Sequence, residues 1–372
     1  MGGMKRIFVT ALSLLLVLSA CAPAPSTSVT PASPAAPDLP SPSVQPPNPT
    51  RAPTAAPANP EEVEPVLLPL AGPGARADAE ISGLAWLGDD LILLPQYPQR
   101  ISPEAGGALL AITKTQILDH LDGRSVEPLQ PRLVRLHTGG LERSIRGFEG
   151  FEALAFVDSA AYLTIEAGGL GGMRSYLVRG TYSAVDDSVT LAAAGIVEVP
   201  LDVQISNFSN EAIHADGERL ILFYEANGAR ASPQALAQVY SADLQPLGAL
   251  AMPPLEYRLT DAAPGPGDAL WVVNFFYPGD LKILPLSDPI AARWGQGPTH
   301  AQASVVERLV ALEIPEGGDS IRLADRPPIQ IQLAEGQIPR NWEGLAYLEG
   351  RGFLIATDKF PETLLAFLPV TE

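Results

Sequence analysis

The chain has 372 residues, 46% of them hydrophobic, and a formal net charge of −18 at pH 7. The apolar content is enough for a sizeable core and excludes wholesale disorder. The acidity excludes sequence-independent binding to nucleic acid and docking of a basic face on anionic lipid, leaving a cation or a basic ligand as the easier partner. A single cysteine excludes an intrachain disulfide.

Residues 1–20 carry Lys5 and Arg6, then an apolar run from Ile7 to Leu18, then small residues. This is the order of a secretory signal sequence, and the run is too short for a lasting transmembrane helix. Leu18-Ser19-Ala20-Cys21 resembles a bacterial lipoprotein cleavage box, in which Cys21 is diacylated. Two acyl chains give stable anchoring where one does not. Residues 21–64 are rich in Pro, Ala, Ser and Thr, bury too little apolar surface to fold, and are expected to form an extended stalk. The expected location is the bacterial cell envelope, lipid-anchored and extracytoplasmic.

From residue 65 to 372 the chain is expected to be all-β. Val66 to Leu70 is a short strand standing before a repeated unit. Each unit opens with a polar residue and an apolar run, turns, and returns on a second apolar run that ends in another polar residue. Ser82 is followed in this way by Gln96, Glu152 by Glu166, Glu211 by Glu225, Asp261 by Asn274, and Glu343 by Asp358. The offset stays between 13 and 15 positions. Two further strand-like runs follow the first four hairpins, whereas the last has only one. Four short strands per unit with no long helical period predict a β-propeller. An open blade would leave an unpaired edge, so Val66 to Leu70 is expected to complete the last blade. Five blades fit the repeats, with residues 278–303 as an insertion; a sixth, degenerate blade in that gap is the alternative.

In a propeller the inner strands start at one rim of the channel, and the second strands return to it. Ser82, Glu152, Glu211, Asp261 and Glu343 are therefore expected around the mouth, with the second polar residue of each hairpin beside them. Carboxylates this close raise one another's pKa unless something compensates. A hard cation could take their oxygens, Ca²⁺ being suited to carboxylate, hydroxyl and water ligands. Basic side chains could pair with them instead; Arg100, Arg174, Arg230, Lys282 and Lys359 each follow a second strand. Or the acids could accept backbone N–H groups and simply tie blades together. A serine–carboxylate set without His or Cys suits a hard cation. No Gly-x-Ser-x-Gly elbow, His-Glu-x-x-His or phosphate loop occurs, and His214 reads as a core or channel histidine.

The stretches Glu80-Ile-Ser-Gly-Leu-Ala, Phe151-Glu-Ala-Leu-Ala, Ser209-Asn-Glu-Ala-Ile and Trp342-Glu-Gly-Leu-Ala resemble the ordered motifs of the phytase-like domain family, also described as esterase-like activity of phytase. The terminal acids Glu166, Glu225 and Asp358 share in the match. SdiA-regulated propellers and calcium-activated nucleotidases look similar at greater distance. The nucleotidases are five-bladed, with a central Ca²⁺ held by a Ser/Glu ring, an order that Ser82, Glu152, Glu211 and Glu343 fit. Asp261 departs from it where that family has serine, and Gln96 departs from the phytase-like acid. The resemblance implies Ca²⁺ at the mouth and hydrolysis of a small phosphorylated or ester-containing molecule. On this reading Ser82, Glu152, Glu211, Asp261 and Glu343 hold the metal. Glu166, Glu225 or Asp358 acts as general base, and Arg174, Arg230 or Lys359 holds the anion. The alternative is a non-catalytic, monomeric ligand- or partner-binding propeller with a structural metal.

Overall fold

The run from Leu91 to Leu94 is apolar at four successive positions, so a strand built from it needs cover on both faces. The computed structural model, which describes residues 60–370 except 105 and 218, supplies that cover. Leu91 and Leu93 enter one core with Leu354 and Phe367. Ile92 and Leu94 point the other way, into a second core with Leu154 and Leu163. The same two-sided burial recurs around the molecule. Second and third units share a core through Tyr162 and Leu222. Third and fourth share one through Phe223 and Val272, and fourth and fifth through Trp271 and Phe353.

The units follow the expected order. The first comprises Ile81–Leu87, Asp90–Pro95, Ala108–Thr113 and Arg132–His137, and the second Phe148–Val157, Ala160–Ala167, Arg174–Ser183 and Ser188–Leu191. The third is Asn210–Asp216, Arg219–Tyr224, Leu236–Ser241 and Pro246–Ala251. Arg258–Gly265, Ala269–Phe276, Val306–Glu313 and Ile329–Ile331 form the fourth; Trp342–Leu348, Gly352–Thr357 and Leu365–Pro369 begin the fifth. Within each unit the strands pair antiparallel in sequence order. The five inner strands pack successively and the last returns to the first. This is a β-propeller. One feature was not anticipated: Arg132–His137 pairs parallel with Ser188–Leu191, which fuses the first and second units into one continuous sheet.

The N-terminal strand closes the ring as expected. Val66–Leu67 pairs antiparallel with Leu365–Pro369, opposing Phe367 and Ala366. The strand is shorter than the expected Val66 to Leu70, because Leu70 turns away to a bridge with Leu129. The sheet also begins before residue 65. Glu62–Val63 adds a parallel strand beside Ile329–Ile331 in the fourth unit. Glu62 anchors it by accepting from Thr299 N and Oγ1 and from His300 N and Nδ1, the last at 2.9 Å. The chain thus clasps two neighbouring units on entry. The insertion between the second and third strands of the fourth unit carries Leu281–Ile283, Pro289–Trp294 and His300–Gln302, all short helical turns. The expected signal sequence, Cys21 and most of the expected stalk lie outside the described residues.

Candidate functional site

Each of the five inner-ring residues falls in a β-bulge. Pairing slips between Ile81 and Gly83, between Phe151 and Leu154, and between Asn210 and Ala212. It slips again between Leu259 and Ala262 and between Trp342 and Gly344. A bulge re-aims the extra residue out of the ladder, and here it frees a side chain that would otherwise be packed between units. The second polar residues reach the same end because they close the return strands. Asp358 N donates to Asn341 O at 3.0 Å, and Gln96 N to Glu80 O at 2.7 Å.

At this end lies a cavity of about 690 Å³. Glu152, Glu211 and Glu343 of the inner ring line it, with Gln96, Glu166 and Asp358 of the outer. Gly150 is required where two of these meet. Its φ of +146° suits glycine, and a Cβ there would stand 2.4 Å from the Gln96 side chain. Gln96 uses the space to donate from Nε2 to Glu152 Oε1 at 3.0 Å. An amide at this position supplies a donor to a carboxylate otherwise surrounded by acids.

The acids are buried and poorly compensated. Among the described residues no protein group donates to Oε2 of Glu166, Glu211 or Glu225, or to Oδ1 of Asp358. Burial, with the charge of neighbouring acids, pushes Glu152 up to about 8 and Glu166 up to about 9. Burial first, then Glu225, holds Glu211 well above the usual carboxylate range; burial and Asp358 do the same to Glu343. Burial also raises the Glu225 pKa, against the opposing charge of Arg258. Glu166 therefore holds its proton at neutral pH in the cation-free protein, the form of a general acid and not of the expected base.

Two expected site residues have other work. Asp261 does not line the cavity. Its Oδ1 accepts from Ala262 N at 2.8 Å, and its Oδ2 from Leu345 N at 2.6 Å and Leu84 N at 3.4 Å. Its oxygens are spent on backbone, so it ties the fourth unit to the first and fifth and is no metal ligand. Glu225 is fully buried, ion-paired to Arg258, and likewise absent from the lining. It holds Arg258 in place and is not a base facing substrate.

The expected basic rim forms only in part. Lys359 lines the cavity, its Nζ 3.8 Å from Glu80. Arg174 instead donates to Arg146 O, and Arg230 is exposed outside the lining. Arg100 pairs with Glu80 at 2.6 Å and Lys282 donates to Ser206 O at 2.6 Å, so both are spent on structure. Arg258, which the repeat did not mark, lines the cavity between Glu225 and Asp280 with its guanidinium over Phe208. Burial opposes its charge, but Glu225, Glu211 and Asp280 outweigh this and push its pKa up. Asn274 explains why the fourth hairpin ends in an amide. Its Nδ2 donates to Glu256 O and Arg258 O while its Oδ1 accepts from buried Arg308, a pairing that no carboxylate could make.

For a metal the donor chemistry fits and the preset geometry does not. Glu152, Glu211 and Glu343 converge on the cavity, and the Ser82 hydroxyl is buried without a partner, although it is not itself in the lining. Yet no three His, Cys, Asp or Glu side chains among the described residues are already gathered into a set that could hold a metal. His214 lies elsewhere, half-buried beside a separate pocket with Asp216 and Asp268, and burial lowers its pKa.

No protein-family model matches the chain, and no curated protein does. Solved structures similar to it share little sequence. The soluble aldose sugar dehydrogenase of Escherichia coli, in its apo form, is 10% identical with a TM-score of 0.43, over 83% of this chain and 100% of that one. An exo-1,5-alpha-L-arabinanase from a bovine ruminal metagenomic library is 10% identical at 0.44, over 77% and 91%. A glycosyl hydrolase from Bacteroides ovatus is 8% identical at 0.42, over 80% and 86%. At these values the likeness carries nothing about activity.

Proposed function

We propose that the protein is a lipid-anchored, extracytoplasmic propeller of the phytase-like kind, with five blades. It binds Ca²⁺ at the channel mouth and hydrolyses a small phosphorylated or ester-containing molecule. The observation that carries this reading is the set of acids lining one cavity, three of which have a buried carboxylate oxygen with no donor, an excess of acidic groups that a divalent cation relieves. The motif resemblance supports the phytase-like assignment, the ring of five inner strands supports the blade count, and the sequence around Cys21 supports the anchor.

Glu152, Glu211 and Glu343 would hold the cation, with Ser82 the nearest hydroxyl in sequence position. When bound, Ca²⁺ polarises the phosphoryl or acyl oxygen. The remaining steps belong to the chain. Glu166 is placed to give its proton to the departing oxygen. Asp358, which lines the cavity, takes the proton of the attacking water. Lys359 attracts an anionic substrate group, while Arg258 offsets the charge of the acids below it. Hydrolysis of a panel of phosphate and carboxylic esters should require Ca²⁺ and be lost in Glu152→Gln and in Glu343→Gln. Turnover that survives chelation and both substitutions would overturn the mechanism.

A second reading, a binding module for a cationic ligand, is favoured by the absence of a ready-made metal set among the described residues. A large Ca²⁺-induced rise in melting temperature without turnover supports binding with a structural metal. No rise, together with binding of an organic ammonium ion, supports the cationic ligand.

A further inference from the structure

The lining of the mouth mixes two chemistries. Glu149 and Asn207 are among its polar residues. Tyr277, Ile338, Pro339 and Phe360 also line it, and Tyr277, Ile338 and Phe360 are 39%, 54% and 59% exposed. Single exposed apolar residues are ordinary. Three lining one cavity put exposed apolar surface where a ligand would bind. Tyr277 is also held by a neighbour in the lining. Phe275, buried, stacks on Tyr277 with ring centroids 6.3 Å apart and 26° between planes. Lys359 Nζ stands 5.9 Å from the centroid of the Phe360 ring.

The same cavity is lined by Glu166, Glu211 and Asp358, more than nine-tenths buried, each with a carboxylate oxygen that no protein group satisfies. Acidic and apolar side chains lining one cavity ask for a ligand that carries both characters. We propose that the cavity takes an amphipathic small molecule, its polar or cationic head over Glu166, Glu211 and Asp358 and its alkyl or aryl body against Tyr277, Ile338 and Phe360. The proposal rests on reading this cavity as a small-molecule site. Within the hydrolase reading it narrows the substrates to esters bearing an apolar group.

The probe is a pair of alkylammonium ions, octylammonium below its micelle concentration and methylammonium, titrated calorimetrically into the protein freed of divalent cations. Both carry the same head, so the acidic side chains treat them alike. Burying about three methylenes against the apolar side chains suffices for a preference of roughly tenfold or more. Wild type should bind octylammonium at least tenfold more tightly. The double substitution Ile338→Ser and Phe360→Ser, at positions more than half exposed, should leave the melting temperature unchanged and bring the ratio below about threefold. Equal affinities in wild type, no binding of octylammonium, or an undiminished ratio in the double variant would each overturn the proposal. Turnover is not read here, so failure of the hydrolase assay and failure of this binding preference are separate results.

Discussion

Glu152→Gln should make the cation-free protein more stable, and only at the alkaline end. Glu152 is buried at 5% exposure and its pKa is raised from 4.5 to about 8, first by burial and then by neighbouring Asp358 and Glu225. In the unfolded chain the group ionises near its ordinary value, so between about 4.5 and 8 the folded state holds a proton that the unfolded state has lost. Stability then falls as pH rises through that window, the reverse of the usual salt-bridged acid. The gap from 4.5 to about 8, at ~1.4 kcal/mol per pH unit, corresponds to roughly 5 kcal/mol as an upper limit. Glutamine keeps the shape and an oxygen for the Gln96 donor while removing the charge. At roughly 2 °C per kcal/mol for a domain this large, the variant should melt up to about 10 °C above wild type at pH 8 and alongside it at pH 4.5. Adding Ca²⁺ should erase the difference by stabilising wild type more. The assay is differential scanning calorimetry at both pH values, with chelator and with millimolar Ca²⁺. A variant no more stable than wild type in chelator at pH 8 would refute the reading of Glu152 as an uncompensated buried acid.

Three other outcomes test the site's supports. Arg258→Met leaves fully buried Glu225 and nearly buried Asp280 without their cation, and should cost about 3–5 kcal/mol in urea unfolding. Adding Glu225→Gln should recover part of that loss, and a cost below about 1 kcal/mol would deny the pair its role. Asp261→Asn keeps one acceptor for three backbone N–H groups and should cost about 1–3 kcal/mol while leaving Ca²⁺ affinity unchanged; altered affinity would restore Asp261 as a ligand. Burial opposes ionisation of Glu62, but hydrogen bonds from His300 and Thr299 outweigh it and lower its pKa. Its contribution is therefore present above about 4.5 and lost as pH falls through its folded value. Limited proteolysis near residue 60 should accelerate below that point in wild type, and at all pH values in Glu62→Ala.

The propeller was legible because its physics repeats. Every unit must bury both faces of its second strand, so Leu91–Leu94 and Leu220–Tyr224 read as unbroken apolar runs, and every unit places a polar residue at its bulge. Repetition fixes position in the ring, but it cannot fix what a side chain meets there. Asp261 and Glu343 occupy equivalent bulges. Glu343 lines the cavity, while Asp261 accepts backbone N–H groups from the neighbouring units. No spacing separates the two, because the difference lies in which partner strand presents its N–H groups inward. The residues that the repeat did not mark fail for the opposite reason: their roles do not recur. Arg340 stands three positions before Glu343, as Arg258 does before Asp261, but pairs with Glu307 outside the lining, so position alone marks no site cation. Arg258 answers a local need, the two acids Glu225 and Asp280. Tyr277, Ile338 and Phe360 sit in connections between strands, which differ from unit to unit. A propeller's shared strands thus set where the floor of a site lies, and its unshared connections set what the site selects. It follows that substitutions at Glu152, Glu211 and Glu343, the ring acids that line the cavity, should change stability and cation affinity together, whereas those at Tyr277, Ile338 and Phe360 should change ligand preference alone.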